Sequence, residues 1–142
     1  MRRRLSLRQL VVLLGLVGLG VLVAPETRAT SEQWGYASAY APGVMGEVVR
    51  YRMENDIWRN EPPMDWYTAH GYVAAMDCST VGEMRTLVDV KGREYRVLVA
   101  DCAGDDGPAD RFSRDNIIVE LDWNLWTRLV DEHGRPLEVG LR

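Results

Sequence analysis

Cysteine and histidine are scarce in this chain. It holds Cys78 and Cys102, His70 and His133, and no others among 142 residues. Neither a C-x-x-C nor an H-x-x-x-H spacing occurs. That excludes the usual zinc patterns and a vicinal redox pair, so no metal or cofactor is expected. Internal repeats, low-complexity tracts and an interdomain linker are also missing, which leaves one small domain. Positive charge exceeds negative at the N-terminus and falls short of it over the rest of the chain. Beyond residue 29 the chain has twelve Lys and Arg against twenty Asp and Glu, a net charge near −8. Nucleic acid and anionic membrane surfaces are therefore not expected partners.

What is present begins with a targeting signal. Arg2, Arg3, Arg4 and Arg8 precede an uncharged run over residues 10–24, and Thr27-Arg28-Ala29 offers a small-x-small exit. This order reads as a secretory signal peptide over residues 1–29, followed by a mature domain over 30–142. An uncleaved anchor is the competing reading, although fifteen apolar residues fall short of the roughly 20 that a spanning helix needs. Membrane contact would then be through this segment alone. The protein is expected in the cell envelope or outside the cell, as a monomer. In an exported chain the two cysteines most simply form one disulfide, Cys78–Cys102.

Hydropathy patterning over the mature region is mostly of period two. Residues 34–41 alternate large and small side chains and read as a first strand, ended by Pro42-Gly43. Residues 44–52 suit a helix or an irregular strand. Residues 55–65 carry Asn55-Asp56, Asn60 and Pro62-Pro63 and read as a loop. A strand is expected over 67–76 and a turn over 79–82. Residues 84–90 and 94–100 alternate on either side of Lys91-Gly92-Arg93 and predict a hairpin. An acidic loop follows Cys102, then a strand over 116–122. Leu125, Trp126, Leu129 and Val130 share a helical face, with Asp122 as N-cap and Gly134 as stop. Residues 137–141 alternate once more. Five or six short strands and one short helix fit a small closed β-barrel, an all-β class that leaves no open strand edge. Trp34, Trp123 and Trp126 are expected in the core, and His133 at the solvated helix end.

Several segments resemble a known family. Gly35-Tyr36-Ala37-Ser38-Ala39-Tyr40, Thr68-Ala69-His70, Val97-Leu98-Val99-Ala100-Asp101 and Ile117-Ile118-Val119-Glu120-Leu121-Asp122 are similar, in this order, to the rare-lipoprotein-A-like double-psi β-barrel domain. The resemblance covers most of residues 34–142. It implies a six-stranded double-psi barrel with a polysaccharide groove, related to septal lytic transglycosylases, expansins, barwin-like lectins and some endoglucanases. Asp101 would match the family's active-site aspartate, although Cys102 follows it where the enzymes carry Arg-Gly-Pro. The cysteine positions look closer to the barwin-like branch.

Chemistry centres on Asp101. Cleaving a glycan needs a carboxyl that can protonate the glycosidic oxygen, and a lytic transglycosylase manages with one such group. Asp101 is the candidate acid, with Glu120, Asp77, Asp122, Asp105 and Asp106 as candidate partners and His70 as a group that orients substrate or exchanges a proton. The structural alternative is a turn-capping Asp101 and a hydrogen-bonded wall histidine. Tyr40, Trp58, Trp66 and Tyr67 are candidates for stacking on sugar faces, or for packing. Asp105, Asp106 and Asp110 lack calcium-loop spacing and read as a solvated loop. Three functions follow: a secreted protein that binds or remodels cell-wall polysaccharide (peptidoglycan or a related glycan), a lytic transglycosylase using Asp101, or a non-catalytic scaffold that binds or inhibits another protein.

Overall fold

A computed structural model of the chain describes residues 32–103 and 109–142, with the side chains of 109–111 left aside. The expected signal peptide over residues 1–29, Asp105 and Asp106 lie outside the described residues, as does the side chain of Asp110. The fold is mainly β, a closed barrel of six strands with a few short helices. The strands are β1 (Gln33–Ala39), β2 (Gly71–Ala75), β3 (Met84–Asp89), β4 (Glu94–Cys102), β5 (Ile117–Leu121) and β6 (Glu138–Leu141). Around the barrel they run β1-β5-β2-β4-β3-β6. β1 pairs parallel with β5, and β2 parallel with β4; the other four pairings are antiparallel. Closure pairs each of these six strands on both sides, so none of them presents an open edge to another chain.

Alternation along β1 explains its composition. Gly35 and Ala37 face the barrel interior, where an added Cβ at Gly35 would meet Asn116 O and Ile118 Cγ2 at 2.6 Å each. Small residues point in because the wall is crowded, and large ones point out. Trp34 is accordingly 43% exposed and Tyr36 37% exposed, so Trp34 is not a core residue. The interior is filled by Val73, Leu87, Val97, Val99, Val119, Leu121 and Val139, all without solvent contact. Each such side chain contributes about 1.5–3 kcal/mol by leaving water.

Among the described residues there are three α-helices rather than the single one expected: α1 (Val44–Asn55), α2 (Ala109–Arg114) and α3 (Trp123–His133). α3 packs Leu125 and Leu129 into the barrel core. Asp122 caps it as expected, accepting from Asn124 N at 3.0 Å and Leu125 N at 3.1 Å. Trp126 is half-buried against that core with the Arg135 guanidinium 4.2 Å from its ring centroid, while Trp123 stacks on it and stays exposed. α1 resolves the ambiguous stretch. Met45 and Val49, four residues apart, form its buried stripe and press on Ala74 and Ala100 from outside the barrel. Residues 66–68 form a 3₁₀ turn instead of continuing a strand, and β2 starts at Gly71. Cys78 and Cys102 are joined by a disulfide.

The hairpin forms where expected, and its turn is tied by a group that sequence alone leaves anonymous. Asp89 is fully buried at the end of β3. Its Oδ1 accepts from Lys91 N at 2.8 Å and Arg93 N at 2.9 Å; its Oδ2 accepts from Arg93 Nε at 2.7 Å and the Tyr95 hydroxyl at 3.2 Å. His133 is drawn into this network rather than left in solvent. Its side chain is only 4% exposed, with Nε2 3.0 Å from Asp89 Oδ2 and 2.9 Å from Arg93 Nη2. The nitrogen donates to the first or accepts from the second according to its tautomer. Burial works against ionisation of Asp89, but the Arg93 and Lys91 amides and the Arg93 guanidinium outweigh it and hold the carboxyl well below the usual range.

Candidate functional site

Strand register gathers the polar groups. Ser38 on β1 stands opposite Glu120 on β5, Glu120 opposite Ala74 on β2, and Ala74 opposite Asp101 on β4. The two carboxylates therefore flank one strand, with Cα atoms about 10 Å apart, twice the strand spacing. A β-bulge between Val73 and Ala74 shifts the register on the way to Asp101. Bulges re-aim side chains next to functional sites. Ser38 Oγ donates to Glu120 Oε1 at 3.0 Å. Tyr40, the next outward residue after Ser38, donates its hydroxyl to Asp101 Oδ2 at 3.1 Å.

The last turn of α1 supplies the cation. Arg52 Nη2 donates to Asp101 Oδ1 at 3.0 Å, and its Nη1 donates to Ile57 O at 2.9 Å. Its own backbone carbonyl accepts from the Asp56 amide, where the chain turns left-handed at φ 52°. Both oxygens of Asp101 are thus engaged within the protein. Burial is the largest influence on Tyr40, followed by the negative charge and hydrogen bond of Asp101 and then Glu120; together they push the phenol far above its usual range, with Arg52 opposing. Tyr40 stays a neutral donor between two carboxylates.

Two neighbouring clefts open beside this row and share Arg52 and Ile57. The first, of about 480 Å³, lies between α1 and Asp101, walled by Val44, Val48 and Tyr51; the second, about 380 Å³, is walled by Trp58, Arg59, Val81 and the disulfide. Tyr51 is 60% exposed on the rim of the first. The Arg52 guanidinium lies 5.8 Å from the Trp58 ring centroid. Among the described residues Arg52 Nε and Trp58 Nε1 are buried donors without a hydrogen-bond partner; Arg52 lines both clefts and Trp58 the second. Such leftover donors are rare in folded proteins and call for a local reason. The loop that carries Ile57 and Trp58 is pinned at Asn60, whose Nδ2 donates to Ser79 O at 2.7 Å and Val81 O at 3.0 Å. Gly82 makes that approach possible: its φ is +98°, and a Cβ there would sit 1.8 Å from Asn60 O.

Of the residues singled out in the sequence, Asp101, Glu120, Tyr40 and Trp58 come together here. His70 does not. Its amide donates to Arg96 O at 2.7 Å, five residues before Asp101, which puts it roughly 15 Å away along the strands. Its Nδ1 accepts from Arg96 N at 3.0 Å, and it lines a separate pocket with Arg85, Glu94 and Arg96. Asp77 caps the short turn after β2, accepting from Ser79 N at 2.9 Å, and lines a different pocket with Glu32, Gln33 and Arg85. That bond holds its carboxyl below the usual range. Asp122 is taken up by its cap and by Tyr72 N at 2.7 Å. Trp66 packs under α1, while Tyr67 is exposed next to it. Sequence reasoning missed Arg52, Tyr51, Ile57 and Ser38. Only the basic residue in the last turn of α1 carried any signal, since cations favour helix C-termini.

Among the described residues, no group of three or more His, Cys, Asp and Glu stands ready to hold a metal ion, and no helix is long and apolar enough to cross a membrane. Comparison with protein-family models, with curated proteins and with solved structures gives no match.

Proposed function

We propose that this chain is an exported double-psi β-barrel protein that binds cell-wall polysaccharide, peptidoglycan or a related glycan, along the face that carries Asp101. The double-psi assignment is supported by two parallel pairs, β1 with β5 and β2 with β4, inside a closed six-stranded barrel. Export is supported by the basic, apolar and small-x-small order of residues 1–29.

One observation carries the functional reading. Asp101 and Arg52 line a cleft that carries the exposed ring of Tyr51, Arg52 also lines the adjoining cleft that carries Trp58, and the hydrogen-bonded row continues from Asp101 through Tyr40 to Ser38 and Glu120 on the neighbouring strands. Sugars present hydroxyls at their edges and flat C–H faces above and below. A groove with orienting polar groups and aromatic walls matches both. The same geometry favours binding over cleavage. Asp101 accepts from a guanidinium and a phenol, so both oxygens serve as acceptors, whereas an acid catalyst must present a proton. His70 stands too far away to exchange one with it.

The test is co-sedimentation of the purified protein with insoluble peptidoglycan and with cellulose, with the soluble fraction analysed by mass spectrometry. The expected result is pelleting without released fragments, weakened in Tyr51→Ala and Arg52→Ala. Anhydro-sugar products that vanish in Asp101→Asn would replace binding with transglycosylase activity. Absence of both pelleting and products would end the glycan reading and leave the protein-partner scaffold.

A further inference from the structure

The outward residues of β1 form one line: Trp34, Tyr36 and Ser38, with Tyr40 continuing it just past the strand. Tyr40 and Ser38 hold Asp101 and Glu120. Among the described residues neither Trp34 nor Tyr36 makes a side-chain hydrogen bond, and the two are 43% and 37% exposed. β1 is packed inward through Gly35 and Ala37, so neither ring is needed to fill the core. Two large aromatic side chains in line outside a barrel offer a narrow, partly apolar strip to a ligand.

Trp34 is also braced. It pairs with Gly140 on β6, and a Cβ at Gly140 would lie 3.0 Å from Trp34 Cε2 and 3.2 Å from Cζ2. The absent side chain lets the indole rest against the neighbouring strand while it remains 43% exposed. A ring supported from beneath by backbone offers a flat surface at little entropic cost, because its rotamer is already restricted. From Trp34 to Tyr40 the line spans about 20 Å, six residues of extended strand. That length suits a chain of several sugar units rather than a single one.

We propose that Trp34 and Tyr36 are remote sugar-stacking subsites, so that the ligand is an extended glycan chain that runs along the outside of β1 from these rings to the Tyr40–Asp101 pair. The inference rests on the glycan reading above and adds to it a chain-length requirement and two contact residues. A protein partner would need a broader patch, whereas these two rings are arranged in single file and run into fixed polar groups.

The experiment measures affinity of the full-length protein, by calorimetry, for a β-1,4-linked N-acetylglucosamine disaccharide and octasaccharide and for cellobiose and a cello-octaose. Wild type is expected to bind an octasaccharide more tightly than its disaccharide. Trp34→Ala/Tyr36→Ala is expected to lose octasaccharide affinity by on the order of tenfold, with disaccharide affinity unchanged. Trp34→Phe, which keeps a ring, and Tyr36→Ala alone guard against a folding defect; the first should retain the length gain and the second should lose part of it. A double variant that keeps the wild-type length gain overturns the track and leaves the groove reading intact. Wild-type protein that binds no saccharide of either length overturns the groove reading and the track with it.

Discussion

Replacing Asp89 with alanine tests the buried network that the fold depends on. The substitution removes the acceptor of four donors, the Lys91 and Arg93 amides, Arg93 Nε and the Tyr95 hydroxyl, and the neighbour of His133 Nε2. Arg93 is half-exposed and can turn to water or keep Glu132. The two turn amides can rehydrate in part. Tyr95 and His133 are more enclosed, and their polar atoms lose a partner where water has little access. A buried polar group left without its partner costs about 1–3 kcal/mol, so losing the partner of Tyr95 and His133 should cost about 2–4 kcal/mol in all. For a domain of this size that lowers Tm by roughly 8–16 °C. The assay is urea unfolding followed by circular dichroism, repeated as a function of pH. Because the native carboxyl titrates below its unfolded value, the stability it supplies is complete above the unfolded pKa and is lost as pH falls through the native one. The gap between wild type and Asp89→Ala should therefore stay constant from neutrality down to about pH 4 and shrink below it. A gap under about 1 kcal/mol at neutral pH, or one that widens in acid, would refute the reasoning.

Three further perturbations follow from the same geometry. Cys78→Ser/Cys102→Ser opens a loop of 23 intervening residues, and urea unfolding should show a loss of about 3 kcal/mol, matched by wild type in reductant. Gly82→Ala forces a Cβ into Asn60 O at a positive φ, so it should both lower Tm and weaken glycan pelleting by displacing the Ile57–Trp58 loop. Tyr40→Phe should remove one of the late-titrating phenols seen by ultraviolet absorbance in the folded protein, Tyr95 being another. A raised tyrosine pKa stabilises only while the unfolded phenol stays neutral. Wild type should accordingly lose stability above about pH 10 more steeply than the variant.

Local chemistry was legible and long-range placement was not. The hairpin announced itself because alternation flanks Lys91-Gly92-Arg93, and α3 because Asp122 precedes an apolar stripe. The helix at 44–55 stayed ambiguous because it buries only Met45 and Val49, begins at a glycine without a side-chain cap, and contains Gly46. Residues 67–70 read as the start of an apolar strand, but the turn bonds of Trp66 and Thr68 to Pro63 and Asp65 win locally. Trp34 was read as core because tryptophan usually is; the crowding at Gly35 that pushes the large residues outward appears only when β5 is placed beside β1. His133 looked solvated because its partner, Asp89, is 44 residues away. For the site, Asp101, Glu120 and Tyr40 were visible as residue types, but the row that unites them exists only through the pairing of β1, β5, β2 and β4. Arg52 joins that row because α1 docks on Ala74 and Ala100, a packing choice that composition does not disclose.

The central claim is that the Asp101 face receives a glycan. The most direct measurement is a ¹⁵N-resolved amide titration of the folded protein with soluble peptidoglycan fragments and with cello-oligosaccharides. The account predicts that Ser38, Tyr40, Arg52, Ile57 and Asp101 shift together and saturate with one affinity, and that the pocket around His70, Arg85 and Arg96 stays silent. No shifts with either glycan, or shifts confined to the His70 pocket, would contradict it.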